Sequence, residues 1–501
     1  MPLSWLPTMT ASSIGDSVCG TLIGLACGDA VGAKSEMQRR GTFPKVTGMM
    51  GGGAHDLKPG QWTDDTSLAL CLAESLIEVA RHDPRDQLKR YLGWAEEGRL
   101  SSTGACFDIG NATSSSLRCF RLSGFTAHYC GSTARRASGN GSLMRLAPAP
   151  MLLRLHPGLA ITVAGDTSRT THASSATVDS CRYFAGLLIG AMGGTSKEHL
   201  LAEGGFVPAG LPEDYWTSMD PPLDPEVAEV ALGASHAHRE PPEEETSSPT
   251  EGTIWNSGYV VRTLEAALWA FGRSASFEEG CLMVANLGDD ADTVAAVYGQ
   301  LAGAYYGASG IPSEWRTKLA LRGLLESMAE ELYDMSNRVD PNPDPAAPAD
   351  SHETPGTLPR PPVTRFEVKP RTKGDRRDDV GAYWEGGVAA HYRTLEDGYM
   401  AISDKRMRYK SMEAFDRDVE ALLRGRSGAG GTAGAAAEEE DDLLVKQSPA
   451  GATRPEVADE TVEGWTASTE SMTIAAERRE ALTEEFAERL LTSRAEVEAM
   501  I

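Results

Sequence analysis

The chain has 501 residues and a mass of 53.5 kDa, and 41% of its residues are hydrophobic. This length excludes a mini-protein and suffices for two or three domains. The net charge of -25 argues against direct binding to nucleic acid or to an anionic membrane. We find no basic start before a long apolar stretch and no run near the roughly 20 apolar residues of a membrane span. An intracellular, cytoplasmic protein with eight reduced cysteines is expected.

Apolar residues recur at three- and four-residue steps from about residue 14 to residue 335, and strand-like alternation is nearly absent. The sequence therefore predicts an all-α domain over 14–335. Glycine recurs every fourth residue at 20, 24 and 28, and again at 299, 303 and 307. This spacing places bare backbone on one face of each helix and predicts that two helices approach each other closely.

Four segments depart from this helical pattern, and a fifth predicts a separate helix. Residues 195–252 are rich in proline and acidic residues and are expected to form a surface insertion that carries little of the core. Residues 336–365 have the composition of a Pro-rich linker, and 366–426 contain enough aromatic residues for a small appendage. Residues 427–469 are of low complexity and expected to be disordered. Residues 470–501 predict an amphipathic helix that docks on its own chain or mediates self-association.

The first chemical motif is GQWTDDT, which runs directly into a helical stretch. Thr63, Asp64 and Asp65 therefore stand at a helix N-terminus. Hydrogen-bonding caps for the first free N–H groups are one explanation, because Thr and Asp suit this position. A metal site is the other, and the motif alone does not separate them.

The second motif is GDDADT, which again precedes a helix and ends at Thr293. Asp289, Asp290 and Asp292 repel one another, and either raised pKa values or a bound cation relieves that repulsion. Oxygen donors alone favour hard octahedral ions such as Mg²⁺ or Mn²⁺ over Zn²⁺ or copper. If the two motifs meet in space, they suffice for a site with two such ions.

A third feature is a group of arginines in an otherwise acidic chain. Residues 111–160 contain no Asp or Glu and six arginines, at 118, 121, 135, 136, 145 and 154. The loop Ser138–Ser142 lies among them and consists of small residues whose N–H groups could cradle a phosphate. An ordinary glycine-rich turn is the alternative. Two further residues stay ambiguous: His172 suits either a structural or a ligand-binding role, and Glu36 suits a general base or a solvated surface acid.

These residues lie in seven blocks whose order resembles the ADP-ribosylglycohydrolases, including the dinitrogenase-reductase-activating type. The blocks are GLACGDAVGAKSE, GQWTDDTSLAL, FDIGNATSSSL, GNGSLMRLAP, THASSA, SGYVVRTLEAALWAF and NLGDDADTVAAVYGQLAGAYYG. They cover about residues 14–335, which makes chance agreement improbable.

The resemblance implies an all-α fold with two Mg²⁺ or Mn²⁺ ions at the bottom of a cleft that holds ADP-ribose. It implies that Glu36 and Asp108 are catalytic carboxylates. It assigns the metal ligands to both acidic motifs, at Thr63, Asp64, Asp65, Asp290, Asp292 and Thr293. It assigns contacts with the substrate to Asn111, Ser138, Gly139, Asn140, Gly141, His172 and Tyr259.

The activity implied is hydrolysis of the glycosidic bond between ADP-ribose and a protein side chain, arginine or serine, or a small ADP-ribose conjugate. Asp289 replaces a glycine that is frequent in the family, and Arg262 replaces an acidic residue, which leaves the leaving group open. Two rival functions are compatible with parts of the sequence. One is a crystallin-like binding protein of the same fold, and the other is a haloacid-dehalogenase-like phosphatase, whose D-x-D-x-T/V motif fits Asp290–Val294.

Overall fold

A computed structural model describes residues 11–233, 239, 253–341 and 367–368. These residues form fourteen α-helices and one two-residue antiparallel ladder, in which Val339–Asp340 (β1) pairs with Glu367–Val368 (β2). The helices are α1 Ala11–Gly32, α2 Asp64–Val79, α3 Pro84–Glu97, α4 Asn111–Leu122, α5 Pro148–Leu152, α6 Pro157–Arg169, α7 Ser175–Met192, α8 Lys197–Leu200, α9 Pro225–Gly233, α10 Val260–Arg273, α11 Phe277–Ala285, α12 Ala291–Tyr306, α13 Ser313–Lys318 and α14 Arg322–Ser336. The prediction of an all-α fold is confirmed.

The predictions for the C-terminal part fall mostly on residues that the structure does not describe. Residues 342–365 of the linker and nearly all of the appendage 366–426 lie outside the described residues, as do the whole of 427–469 and of 470–501. The expected appendage, the disordered stretch and the amphipathic helix therefore stay predictions.

The centre of the domain is the contact between α1 and α12. A Cβ atom added at Gly24 would lie 2.2 Å from the carbonyl oxygen of Gly299, and one at Gly20 would lie 2.2 Å from that of Gly303. At Gly28 the nearest atom is the carbonyl oxygen of Ala295, at 1.9 Å. Since real Cβ atoms do not approach backbone this closely, only glycine permits this packing. The close approach predicted from the glycine spacing is confirmed.

Helix α1 is also long and apolar. By length and composition Ser13–Gly32 could cross a membrane, with a mean hydropathy of 1.3. The expectation that no stretch is long and apolar enough to span a membrane is therefore wrong. However, 78% of that stretch is buried inside the protein, as in the core helix of a soluble domain. The apolar character of α1 is explained by its central place in the core, between α12 and α14.

The segment 195–252 contributes more to the core than its composition suggested. Its described residues include α8 and α9, and several of its apolar side chains belong to the main core cluster: Leu200, Trp216, Leu223, Val227, Val230 and Ala231. The segment is therefore not only a surface insertion, although these residues are a small part of the core cluster. Its prolines interrupt helices, but the apolar residues between them still pack against α7 and α10.

Candidate active site

The first acidic motif does not cap its own helix. Thr63 is the N-cap residue of α2, yet its side chain makes no capping hydrogen bond. The cap comes from α1 instead: Asp29 accepts hydrogen bonds from the backbone N–H groups of Thr63 (2.9 Å) and Thr66 (3.0 Å). Its carboxylate also accepts from both threonine hydroxyls, at 3.1 and 2.6 Å. The capping explanation for this motif is therefore wrong, and the motif's own carboxylates stay available for another role.

The Thr63 hydroxyl joins the two acidic motifs. Its oxygen lies 3.0 Å from Asp65 Oδ2 and 3.1 Å from Asp292 Oδ2, across 229 positions of sequence. Asp29, Asp65 and Asp292 are all buried, and each offers a carboxylate oxygen within 4.8 Å of the others. The two motifs therefore meet in space, as the two-ion interpretation requires.

The remaining residues of the second motif face the same region. Asp290 is the N-cap residue of α12 and, like Thr63, makes no capping bond with its side chain. Its Oδ2 accepts a hydrogen bond of 2.6 Å from the Asn140 amide. The Thr293 hydroxyl lies 3.9 Å from the Met144 sulfur and also hydrogen-bonds to the Asp290 carboxylate.

Burial and mutual repulsion make these carboxylates costly to ionise. Burial first, and then neighbouring carboxylates, raise the pKa values of Asp64, Asp65 and Asp292 well above the usual range. Two of their oxygens, Asp65 Oδ1 and Asp292 Oδ1, are buried and have no hydrogen-bond partner among the described residues. A hard divalent cation would satisfy both the charge and the orphaned oxygens, so the residues present fit such an ion.

Glu36 and Asp108, the predicted catalytic pair, lie together beside this cluster. They form a second acidic group with His55, whose Nε2 lies 3.4 Å from Glu36 Oε2 and 3.4 Å from Asp108 Oδ1. Burial, together with the charges of Asp108 and Asp290, raises the pKa of Glu36 to about 9. Burial also raises the pKa of Asp108, and His55 opposes that shift. Asp108 has a left-handed backbone (φ 60°), three residues before α4 begins at the exposed Asn111.

The glycine-containing loop forms one wall of the site. Asn140 N–H donates to the Gly258 carbonyl (3.2 Å), and Val260 N–H donates to the Ser138 carbonyl (3.0 Å), which fixes the loop against the start of α10. The Asn140 amide donates to Asp290 and also to the Thr263 hydroxyl (2.8 Å). The loop is thus tied directly to the second acidic motif.

His172 is buried against this loop. A Cβ atom added at Gly141 would lie 2.8 Å from the imidazole, and one at Gly139 would lie 3.5 Å from it. Burial lowers the pKa of His172 to about 3, so the ring is neutral, with Nδ1 2.8 Å from the Thr171 hydroxyl. Arg145 completes the wall because it donates to the Gly141 carbonyl (3.1 Å) and to Thr171 (2.6 Å).

The arginines of 111–160 do not form a single anion-binding island. Arg145 is 1% exposed and lies over the Tyr91 ring, 4.5 Å from its centroid. Arg154 donates to Ser336 and packs on Tyr333, whereas Arg121 and Arg135 pair with Glu96 and Glu226. The structural roles of these four arginines make the island interpretation wrong, since charge counting ignores where each side chain points.

The two departures from the family pattern have structural roles. Asp289 (φ 52°) exchanges backbone hydrogen bonds of 2.7 and 2.8 Å with Met37 and Gln38, so it ties the turn after Glu36 to the second acidic motif. Arg262 donates to the buried Glu265 (2.7 Å), one turn further along α10. Tyr259, just before α10, donates to Glu226 (2.7 Å), so the 195–252 segment reaches the rim of the site.

Two residues of this region were not assigned a role from the sequence. Asp29 sits within an otherwise apolar, glycine-rich helix, and a buried carboxylate there needs a partner, which is a signal that could have been used. His55 follows three consecutive glycines, a pattern that indicates a tight turn but not what the turn approaches. The roles of the other site residues stay predictions.

Comparison with known proteins agrees with this site. The profile of the ADP-ribosylglycohydrolase family matches residues 10–342. The ADP-ribosylarginine hydrolase Tri1 of Pseudomonas putida (strain GB-1) is 38% identical over 335 residues, covering 66% of this chain and 82% of that protein. The ADP-ribosyl-[dinitrogen reductase] glycohydrolase of Rhodospirillum rubrum is 31% identical over 319 residues, which are 63% of this chain and 94% of that protein. A solved structure described as an ADP-ribosylglycohydrolase-related protein complex matches with a TM-score of 0.54 and 42% identity, covering 65% of this chain and 99% of that one.

The fold and the site thus define an all-helical glycohydrolase domain with a buried acidic centre. The chain belongs to the ADP-ribosylglycohydrolase family and is a hydrolase of that family. The phosphatase alternative is wrong, because its motif requires the end of a strand in a parallel sheet. Here Asp290 begins a helix in an all-α domain.

Proposed function

We propose that this protein hydrolyses the bond between ADP-ribose and an arginine side chain, with two Mg²⁺ or Mn²⁺ ions held by its acidic motifs. The observation that carries the proposal is the convergence of buried carboxylates from remote parts of the chain. Thr63 contacts both Asp65 and Asp292, and both of these carboxylates keep an unpartnered buried oxygen. A purely structural role would leave such oxygens satisfied by protein donors.

The proposed ligands are Thr63, Asp64, Asp65, Asp290, Asp292 and Thr293. When bound, a pair of hard divalent cations supplies Lewis acidity toward the ribose hydroxyls and the attacking water. Asp29 accepts four hydrogen bonds from Thr63 and Thr66, so its oxygens are occupied. It therefore acts by holding the start of α2 in place, not as a ligand.

The chain's own residues supply the proton and the substrate contacts. Glu36 lies beside this centre, and burial together with the charges of Asp108 and Asp290 raises its pKa, so it is placed to give a proton to the departing nitrogen and to take one back from the attacking water. Asp108 lies beside it and can stabilise the positive charge that develops at the anomeric carbon. The N–H groups of the Ser138–Gly141 loop other than that of Asn140, which donates to Gly258, would face the diphosphate, and the Asn140 side chain would fix the loop relative to Asp290.

Arginine is favoured over serine as the linked side chain by two relatives. The Tri1 proteins of Pseudomonas putida and Serratia proteamaculans (strain 568) are both named ADP-ribosylarginine hydrolases, at 38% and 36% identity. The charge of this site points the same way. A departing guanidinium is a cation, and Glu36 and Asp108 would attract it, whereas a serine hydroxyl leaves as a neutral group.

The test uses the full chain with Mg²⁺ or Mn²⁺ and two peptides of one sequence, ADP-ribosylated on arginine or on serine. We expect release of ADP-ribose from the arginine peptide at least about a hundredfold faster, and its loss in Asp292→Asn. Asp179→Asn is the matched control, since Asp179 is a buried aspartate that belongs to neither acidic group. Binding of ADP-ribose without release from either peptide would favour the crystallin-like alternative. Faster release from the serine peptide would overturn the arginine assignment.

A further inference from the structure

A tight turn built on three glycines places His55 at the predicted catalytic carboxylates. Gly51, Gly52 and Gly53 all have left-handed backbones, with φ of 67°, 85° and 75°. Gly52 and Leu57 exchange two backbone hydrogen bonds, of 2.6 and 3.0 Å, which close the turn. A Cβ atom at Gly53 would lie 1.9 Å from the Ala33 carbonyl oxygen, so the turn is pressed against the end of the helix that leads to Glu36.

The three polar groups at this turn have the separations of metal ligands. His55 Nε2 lies 3.4 Å from Glu36 Oε2 and 3.4 Å from Asp108 Oδ1. Among the described residues, neither His55 Nε2 nor Glu36 Oε2 has a hydrogen-bond partner beyond their contact with each other, although both atoms are buried. Around a tetrahedral Zn²⁺ with bonds of about 2.0 Å, neighbouring ligand atoms are about 3.3 Å apart. The two separations from His55 Nε2 match this edge length, and the two carboxylates offer oxygens within 4.8 Å of each other.

The surroundings allow an ion to enter and to keep a fourth ligand from solvent. The Glu36 side chain is 5% exposed, whereas those of Asp108 and His55 are 15% and 22% exposed. The group therefore opens to solvent on the side of Asp108 and His55. The Phe107 ring packs on the imidazole, with centroids 5.0 Å apart, and restricts its rotation.

Charge does not prevent a third cation in this region. Seven carboxylates belong to the two acidic groups or interact electrostatically with their members: Asp29, Glu36, Asp64, Asp65, Asp108, Asp290 and Asp292. Two divalent cations neutralise four of these charges when all are ionised, and a third would neutralise two more. One negative charge would remain, so attraction to the carboxylates persists.

We propose that His55, Glu36 and Asp108 form a binding site for one Zn²⁺ ion, separate from the all-oxygen cluster. An imidazole nitrogen with two carboxylates is a donor set that suits Zn²⁺, whereas the all-oxygen cluster suits Mg²⁺ or Mn²⁺. Because the ion would take up Glu36, it would inhibit the hydrolase. This consequence rests on the proposed function, but the binding itself does not.

The binding test uses the full chain in millimolar Mg²⁺ with a phosphine reductant that keeps the cysteines reduced. Zn²⁺ is titrated against a chromophoric chelator, and Co²⁺ is titrated in parallel as a spectroscopic probe of coordination. We expect one His55-dependent equivalent of Zn²⁺ and a visible Co²⁺ band typical of four-coordinate nitrogen and oxygen ligands. His55→Leu and Asp108→Asn should each weaken that equivalent at least about tenfold. Asparagine tolerates the left-handed backbone at position 108, so the second variant serves if the first does not fold.

The matched control is His156→Leu, because His156 is half-buried and belongs to neither acidic group. This variant should keep the equivalent and the Co²⁺ band. Release of ADP-ribose is followed in the same samples and expressed relative to each variant's own zinc-free rate. Zn²⁺ should inhibit the wild type in step with occupancy.

The outcomes separate this inference from the proposed function. If the zinc-free wild type releases no ADP-ribose, the proposed function fails, while the Zn²⁺ and Co²⁺ titrations still decide the site. If a folded His55→Leu or Asp108→Asn chain binds Zn²⁺ as tightly as the wild type, the site does not exist. Inhibition by Zn²⁺ that is equal in wild type and variants would also overturn the proposal, because the ion would then act elsewhere.

Discussion

Replacing Gly24 with alanine should force α1 and α12 apart at the centre of the domain. The new Cβ atom would lie 2.2 Å from the Gly299 carbonyl oxygen, whereas ordinary contact begins near 3.4 Å. The helices must therefore separate by about 1.2 Å. The obstacle is backbone on a buried helix, so no side-chain rotation can relieve it.

Two opposing terms determine the size of the effect. Overpacking of a core typically costs about 1–3 kcal/mol, and contact with backbone belongs at the upper end. The higher helix propensity of alanine returns up to about 1 kcal/mol. We therefore expect Gly24→Ala to lower the free energy of unfolding by about 2 kcal/mol, measured by guanidinium denaturation. Mn²⁺ binding should weaken at least about tenfold, because α1 carries Asp29, α12 carries Asp292, and octahedral sites tolerate little distortion.

Gly93→Ala is the matched control, since Gly93 also lies within a helix, α3. Its Cβ atom would meet only Arg99 Cδ, at 3.9 Å, which is ordinary contact. The propensity term then acts alone and should raise the free energy of unfolding by about 0.5–1 kcal/mol. If both variants gained stability alike, the close approach of α1 and α12 would be refuted as the reason for these glycines.

Three further predictions concern buried polar groups. Asp292→Asn should abolish tight Mn²⁺ binding yet raise the melting temperature in EDTA. The pKa of Asp292 is raised in the fold, so its ionised carboxylate destabilises the cation-free protein, and a lower melting temperature of the variant would contradict this. His82 is buried with its pKa lowered to about 4 from a usual value near 6.5, so the unfolded chain binds the proton first. The stability that His82 contributes is complete above pH 6.5 and falls by about 2 kcal/mol between pH 7 and pH 5. If the free energy of unfolding depended on pH equally in the wild type and in His82→Gln, this reasoning would be wrong. Thr66→Val removes a buried 2.6 Å hydrogen bond to Asp29 and should cost about 2 kcal/mol, whereas Thr162→Val on an exposed helix face should cost little in the same denaturation assay.

Local patterns were sufficient for the helical class and the glycine contact, and they singled out the two acidic motifs but not Asp29. Helical periodicity and glycine spacing follow from the geometry of a single helix, so they can be read without knowing its partners. The crowding of Asp290 and Asp292 within four residues likewise indicated either raised pKa values or a bound cation, because like charges at such spacing repel one another. The resemblance of the seven blocks to a family supplied the expectation that both motifs meet.

Tertiary packing decided which neighbours these residues have. Asp29 caps α2 from another helix. Arg145 holds the Ser138–Ser142 loop in place, and this role follows from the burial of Arg145, not from the number of arginines near it in the sequence. The 195–252 segment joins the core because its scattered apolar residues find partners on α7 and α10. The approach of His55 to Glu36 depends on how a turn packs against the end of α1. Hydrogen bonds and burial between distant segments depend on three-dimensional proximity, which one-dimensional spacing does not encode.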